Sequence, residues 1–410
     1  MAVRDVDFLI IGGGVAAAKA AEGVREGSGQ GSVVVMTAEQ ELPYERPPLS
    51  KELLRGEAGR DKIRTHDEAW YRDHEVEVLL ATRASALDPG GRTVTTEVGD
   101  QFRYQGLLLA TGARVVRLGL PGEDLPGVSY LRTVDESERL REAIRAAGRM
   151  VVIGGGFIGA EVAASATQMG AEVSLLEVAE TLWTRAVGAQ LGEFFEEFLR
   201  DRGVDVRVRT RTARIEGDGK VEAVVLDDGT RLPADLVVIA VGVRPVTDLA
   251  ETAGLPVDDG IVVDEQLRVV GAHAGGIWAA GDAAKASHPL FGPIRTEHWA
   301  EALNQGLMAG RNMAGAGERY ERVPYFFSDQ FDLSLSYLGI AREPYDLVVR
   351  GERDVKEAKF VAWYLEGGTP RAALIVNDWD AEDPVRSVIR RGQPVDAARL
   401  ADAGVPLGAL

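Results

Sequence analysis

VVIGGGFIGAEVAAS, from Val151 to Ser165, is an apolar, β-branched run that enters a cluster of glycines and leaves as an Ala-rich segment. That order predicts a strand, a tight turn and a helix, which together bring backbone amides against a pyrophosphate. Gly154 makes the turn, Gly156 lets the backbone approach the phosphates because it has no Cβ, and Gly159 lets the helix pack close to the strand. EVSLLE is the next strand, and Glu177 closes it, at roughly the 20-residue offset at which an acid meets the ribose. A carboxylate there accepts two ribose hydroxyls and repels a 2′-phosphate, so NADH is expected rather than NADPH.

The pattern occurs twice. Residues 6–30 repeat the strand, glycine turn and Ala-rich helix, with Gly12, Gly14 and Ala17 in the three glycine positions. The following strand, SVVVMTAE, ends at Glu39, again placed for a ribose contact. Two such folds in one chain imply two dinucleotides, and a hydride carrier facing a flavin is the economical pairing.

Composition narrows the class. At 410 residues the chain exceeds the size of one core, so two or three domains are expected. It contains no cysteine, which removes disulfides, cysteine-ligated clusters, thiolate nucleophiles and dithiol relays. His66, His74, His273, His288 and His298 are scattered without metal-ligand spacing, and no metal site is expected. The net charge of −18 disfavours non-specific binding to nucleic acid or an anionic membrane. No apolar run approaches the ~18 residues of a membrane span. The first strand begins within a few residues of the start, leaving no room for a leader, so a cytoplasmic location is expected. Monomer and homodimer are both compatible with the sequence.

Other stretches have weaker signals. In PYERPPLSKELLRG the paired prolines fix the backbone, and Ser50 is placed to cap a helix opening at Lys51 and Glu52. The turn presents Arg46 and Lys51, which composition alone would leave as solvated charges. Residues 76–106 read as a small antiparallel sheet, after which LLLATGA returns as a buried strand ending at Thr111 and Gly112. RLGLPGEDLPG marks a domain boundary. A helix over 191–203 has an apolar face of Leu191, Phe194, Phe195, Phe198 and Leu199. VDVRVR, ARIEG and VEAVVLDDGT read as an antiparallel layer before a last parallel strand, and the arginines over 200–214 as a solvated face. After Gly242 the chain recrosses to the first domain, where GIWAAGDAA delivers Asp282 through a turn at Gly281. A helix near Thr296 carries Glu297, His298 and Trp299 in its first turn, where its amides favour an anion. From Val323 the strands FFSDQFDLSLSYLG, DLVVRG and KFVAWYLEG, then a helix over 384–391, make a small α+β domain.

With RPPLSK, LATGA, LRT, GGGFIGAE, AVGVRP, AAGDAA and FFSDQFD in this order, the chain resembles the FAD-dependent ferredoxin reductases that serve oxygenases. That group includes putidaredoxin and rubredoxin reductases, and the redox fold of apoptosis-inducing factor is related. The resemblance implies an α/β, glutathione-reductase-like fold: two Rossmann-type nucleotide-binding domains and a C-terminal α+β domain. The FAD domain would comprise 1–117 and 246–322, the NAD domain 118–245, and the C-terminal domain 323–410.

The family's FAD contacts fall at Ala16 in the first glycine turn, Lys51, Ala84, Arg132, Asp282 and Trp299. Lys51 would stand beside flavin N5, where an ammonium stabilises arriving negative charge. Glu161, the acid of the GAE run two residues past Gly159 and three past Ile158, would pair with it. Read without the resemblance, Glu161 is a helix-surface carboxylate. Two departures stand out. The family's acid for the FAD ribose falls at Ala38, with Glu39 its neighbour. The aromatic over the nicotinamide, a Trp in the family's WSD run, is here Phe327 in FFSD. The implied chemistry is hydride transfer from NADH to FAD, then release of single electrons to a ferredoxin or rubredoxin. An NADH oxidase or quinone reductase, and an NADH-sensing flavoprotein like apoptosis-inducing factor, are the competing readings.

Overall fold

The computed structural model describes residues 3–27, 29–271 and 275–410, so His273 lies outside the described residues. The chain forms two compact units, one of Met1–Arg46, Arg60–Arg114 and Arg244–Phe326, the other of Pro47–Gly59, Val115–Val243 and Phe327–Leu410.

The first unit is built on Val3–Ile11, whose last residues are fully apolar and buried. It lies between Val33–Met36 and Gln101–Leu109, parallel to both, with Ile11 opposite Met36 and Leu109. Ile277–Ala279 adds a parallel strand beside Leu107–Leu109. Such doubly covered parallel strands read as continuous Val, Ile and Leu, which is how the sequence signalled them. Val76–Leu79 corrects the expected antiparallel insert at its start: it is the parallel edge strand beside Val33–Met36. Only Ala84–Asp88 and Thr93–Thr96 form the antiparallel meander, joined to the first half of Gln101–Leu109.

The helix Val15–Glu26 packs on Trp299–Met313 at backbone distance. A Cβ on Gly306 would lie 2.3 Å from the Ala16 carbonyl oxygen, and one on Gly310 would lie 2.1 Å from that of Ala20. The Ala-rich composition of the first helix therefore serves a helix–helix contact as well as the sheet. Trp299–Met313 also corrects an expectation: it starts at Trp299, so Glu297 precedes it and His298 occupies its N-cap position.

In the second unit a five-stranded parallel sheet runs in the order Asp205–Arg207, Glu172–Leu176, Arg149–Ile153, Leu236–Ile239, Val128–Ser129. VDVRVR thus supplies a parallel edge strand instead of part of the antiparallel layer, which consists of Thr212–Glu216, Ala223–Leu226 and Arg231–Pro233. Val151, Ile153, Val224, Val237 and Ile239 share one buried cluster. The helix Ala189–Asp201 buries Leu191, Phe194, Phe195, Phe198 and Leu199. Arg202 departs from the solvated arginine face: it is paired bidentately to Asp332 and lies 3.7 Å over the Phe198 ring.

The C-terminal sheet is antiparallel, in the order Tyr325–Gln330, Leu333–Gly339, Thr369–Val376, Lys359–Glu366, Asp346–Glu352. FFSDQFDLSLSYLG is two strands turning at Phe331, whose φ is +53°. Thr369–Val376, absent from the sequence reading, is the central strand. No helix among the described residues is long and apolar enough to cross a membrane.

Candidate functional site

Each glycine turn is crowded on one side and open on the other. A Cβ on Gly12 would lie 2.1 Å from the Ala110 carbonyl oxygen, and one on Gly154 would lie 2.4 Å from that of Ala240. Both residues have positive φ, +152° and +107°, which glycine adopts without strain. A Cβ on Gly159 would sit 2.0 Å from the Gly154 oxygen, so that position holds helix and turn together. At Gly14 and Gly156, by contrast, a Cβ would meet nothing within 4 Å. These two residues are the N-caps of Val15–Glu26 and Phe157–Gln168, and no side chain caps either helix. Open space in front of uncapped amides fits a pyrophosphate at each turn.

The two acids sit at different offsets: Glu177 directly follows Glu172–Leu176, whereas the strand expected to end at Glu39 ends at Met36, so Glu39 lies three residues beyond it and Thr37 takes the place equivalent to Glu177. Glu177 Oε2 accepts from the Gly155 amide and Oε1 from the Ala179 amide, both at 2.8 Å. Glu39 is held instead by side chains: Tyr44 donates its hydroxyl to Oε2 at 2.5 Å, and Arg46 Nη2 pairs with Oε1 at 2.8 Å. Arg46 is therefore an ordering group for Glu39, not a free surface charge. Ala81 and Thr82 donate their amides to the Glu39 and Thr37 carbonyls, so the chain leading to Ala84 runs past the same strand end.

The remaining first-unit residues follow the strand ends. Thr111 donates to the Val246 carbonyl at 2.6 Å, and Gly112 has φ +68°. Gly281, with φ +73°, opens the short 3-10 turn that carries Asp282, and its amide is held by Gln305 at 2.9 Å. Ala16 lies in the first turn of its helix, beyond the glycine loop, where a Cβ on Gly281 would touch it at 3.3 Å. His298 stacks on Phe326 with ring centroids 4.4 Å apart, and burial pushes its imidazole down to about 4, so it is neutral near pH 7. Glu297 pairs with Arg295 at 2.5 Å.

In the second unit Lys51 and Glu161 form an ion pair at 2.9 Å, with side chains only 6% and 7% exposed. Neither is a solvated charge. Lys51 Nζ stands 5.7 Å from the Phe327 ring centroid, within cation–π range. Ser50 corrects the capping expectation. The helix Glu52–Arg55 has no side-chain cap, and the Ser50 hydroxyl donates to Glu161 Oε2 at 2.5 Å. Ser328 donates to Glu161 Oε1 at 2.6 Å, and Gln330 Nε2 donates to the Ser328 hydroxyl at 2.7 Å. The segment carrying Lys51 is pinned by Ser137 to the Leu49 carbonyl and Ser165 to the Ser50 carbonyl, each at 2.7 Å. Sequence reasoning missed Ser50, Ser328 and Gln330 in these roles. The only signal was polar residues set among apolar neighbours in RPPLSK and FFSDQ.

Arg132 follows the edge strand Val128–Ser129, and its amide is held by Glu136 at 2.8 Å in the turn before Val134–Ala146. Ile158, 39% exposed, lies on the first turn of the helix that carries Glu161. Gly242 has φ +102° and open space at its Cβ position.

The different crowding of the turns gives a separable expectation. Gly12→Ala should yield protein with little bound flavin. Gly154→Ala should retain flavin but raise the KM for NADH by about 10-fold or more, equivalent to ~1.4 kcal/mol. Flavin absorbance per chain and steady-state kinetics check both.

Residues 6–306 match the pyridine nucleotide-disulphide oxidoreductase family, and residues 325–410 match the reductase C-terminal family. The chain is 36% identical over 402 residues to the ferredoxin–NAD(+) reductase component of the anthranilate 1,2-dioxygenase system of Burkholderia cepacia, covering 98% of each chain. It is 34% identical over 410 residues to the putidaredoxin reductase of Pseudomonas putida, covering 98% of this chain and 96% of that one. The covalent putidaredoxin reductase–putidaredoxin complex superposes with a TM-score of 0.93 at 33% identity, covering 98% of this chain and 97% of that one. Two glycine cradles with their acids, followed by an antiparallel C-terminal sheet, are thus the local form of a shared architecture: the chain belongs to the pyridine nucleotide-disulphide oxidoreductase family, in its ferredoxin-reductase branch.

Proposed function

We propose that the protein is an NADH-dependent ferredoxin reductase that takes a hydride from NADH and passes single electrons to a small iron–sulfur or rubredoxin-type protein of an oxygenase system. FAD and NAD(H) are the cofactors of this family. The observation that carries the assignment is the buried Lys51–Glu161 pair, whose carboxylate is on the helix leading out of the Gly154 cradle, with Phe327 beside the ammonium. End-to-end similarity to reductases of oxygenase systems favours this over an NADH oxidase or a sensing flavoprotein.

Gly12, Gly14, Ala17 and the amides behind them are assigned to the FAD pyrophosphate, with Glu39, Arg46, Ala84, Thr111, Gly112, Arg132, Asp282 and Trp299 as further FAD contacts. Gly154, Gly156, Gly159 and Glu177 are assigned to NADH. Bound FAD supplies the exchange between a two-electron hydride and single electrons, which no side chain of this cysteine-free chain offers. Lys51 keeps an ammonium where negative charge arrives, and Glu161 holds that ammonium in place. Phe327 presents a flat apolar face to the nicotinamide and excludes water. A cytoplasmic location is part of this proposal.

Phe327→Trp enlarges the stacking surface and should strengthen the long-wavelength charge-transfer absorbance after NADH reduction, with a KM for NADH lowered by about 3-fold. An unchanged band would remove Phe327 from the nicotinamide site. The functional assignment itself is tested by NADH-driven reduction of a panel of ferredoxins and rubredoxins from the same genome. Oxygen and quinone serve as controls. Turnover with the controls alone would contradict it.

A further inference from the structure

Glu161 is an acceptor with more donors than a salt bridge requires. Lys51 and Ser50 both address Oε2, at 2.9 and 2.5 Å, while Oε1 has Ser328 at 2.6 Å. Ser328 is fully buried, as is Gln330. A carboxylate bonded only through Oε2 could turn about its terminal torsion and withdraw that oxygen from the ammonium, because such sp² torsions have broad minima. A bond to Oε1 removes that freedom.

The direction of each hydrogen bond follows from the chemistry of the groups. An ionised Glu161 can only accept, so Ser328 must spend its single proton on Oε1. The Ser328 oxygen is then left with lone pairs, and the Gln330 amide nitrogen, 2.7 Å away, donates to it. The chain Gln330 to Ser328 to Glu161 to Lys51 is consistent only with the glutamine amide turned nitrogen-first. Lys51 is the cation paired with Glu161, and Arg55, four residues further on, donates to Ser165 at 3.3 Å.

We propose that Ser328, oriented by Gln330, is a positioning residue for the Lys51–Glu161 pair, holding Oε1 so that Oε2 stays on the ammonium. The same strand, Tyr325–Gln330, carries Phe327, so one strand sets both the aromatic and the ammonium it faces. This inference rests on the assignment of Lys51 to hydride transfer.

The test uses the full FAD-loaded chain and anaerobic rapid mixing with NADH across a pH series. Ser328→Ala is expected to slow flavin reduction about 10-fold. Gln330→Glu keeps the volume but, once ionised, sets a second acceptor against Ser328. Reduction should be near wild type at low pH, where the introduced carboxyl is protonated and can donate. It should fall as that carboxyl ionises. A readout independent of turnover is a thermal-unfolding cycle of Ser328→Ala, Glu161→Gln and the double variant, expected to be non-additive. Wild-type rates in both Ser328→Ala and Gln330→Glu, with Lys51→Met slow, would overturn the positioning role and leave the Lys51 assignment standing. A Gln330→Glu defect of equal size at every pH would reduce the role to packing and also overturn it. Wild-type reduction in Lys51→Met itself would overturn the assignment on which the inference rests.

Discussion

Replacing Lys51 by methionine is expected to slow flavin reduction by NADH by about 10²- to 10³-fold, the usual loss when one preorganised group facing developing charge is removed. Methionine keeps most of the length and apolar surface of the lysine stem, so the change isolates the ammonium. It also strands Glu161, whose side chain is 7% exposed. An unpaired buried charge costs roughly 3–5 kcal/mol, so the variant should also be less stable. Lys51→Met combined with Glu161→Gln separates the effects. Neutralising both partners should recover much of the stability, because Ser50 and Ser328 can still bond a side-chain amide, while the slow reduction remains. Stopped-flow reduction and thermal unfolding of the three variants measure the two quantities. A rate restored together with stability would show that Lys51 acts through folding alone.

The second large effect is cofactor choice. Both oxygens of Glu177 are anchored by backbone amides, Gly155 and Ala179, which fixes the carboxylate at the strand end. A 2′-phosphate brought to that point would meet a held negative charge. The wild-type preference for NADH over NADPH in kcat/KM should be on the order of 10². Glu177→Ala removes the charge and also frees the two amides, which then favour an anion. NADH efficiency should drop about 10-fold and NADPH efficiency should rise, bringing the two within about 10-fold of each other. Flavin content should not change, because Glu177 belongs to the other nucleotide fold. Comparable wild-type efficiencies with both nucleotides would contradict the assignment.

Much of this architecture was legible because its signals are local. Val151–Ile153 and Leu9–Ile11 are buried on both faces, so they read as unbroken apolar runs ending in glycines whose φ values no other residue adopts easily. What could not be read depends on partners distant in sequence. Ser50 stands before a helix and has the chemistry of a cap, yet its hydroxyl serves a carboxylate 111 residues away. Val76–Leu79 is four residues long, and nothing in so short a run distinguishes a parallel edge from the start of a hairpin. Thr369–Val376 begins with Thr-Pro and passes through Arg and two alanines, which suppresses a strand signal that burial between two neighbours overrides. The start of Trp299–Met313 was misplaced because Glu297 and His298 resemble first-turn residues, whereas His298 is extended, with φ −119° and ψ 141°.

The measurement that bears most directly on the two-cradle account is an anaerobic titration of the purified protein with NADH, followed through the flavin's visible absorbance. The expected result is yellow protein carrying about one FAD per chain, bleached by about one equivalent of NADH. Protein that is colourless and takes up no FAD, or that binds FAD but stays oxidised with excess NADH, would contradict it.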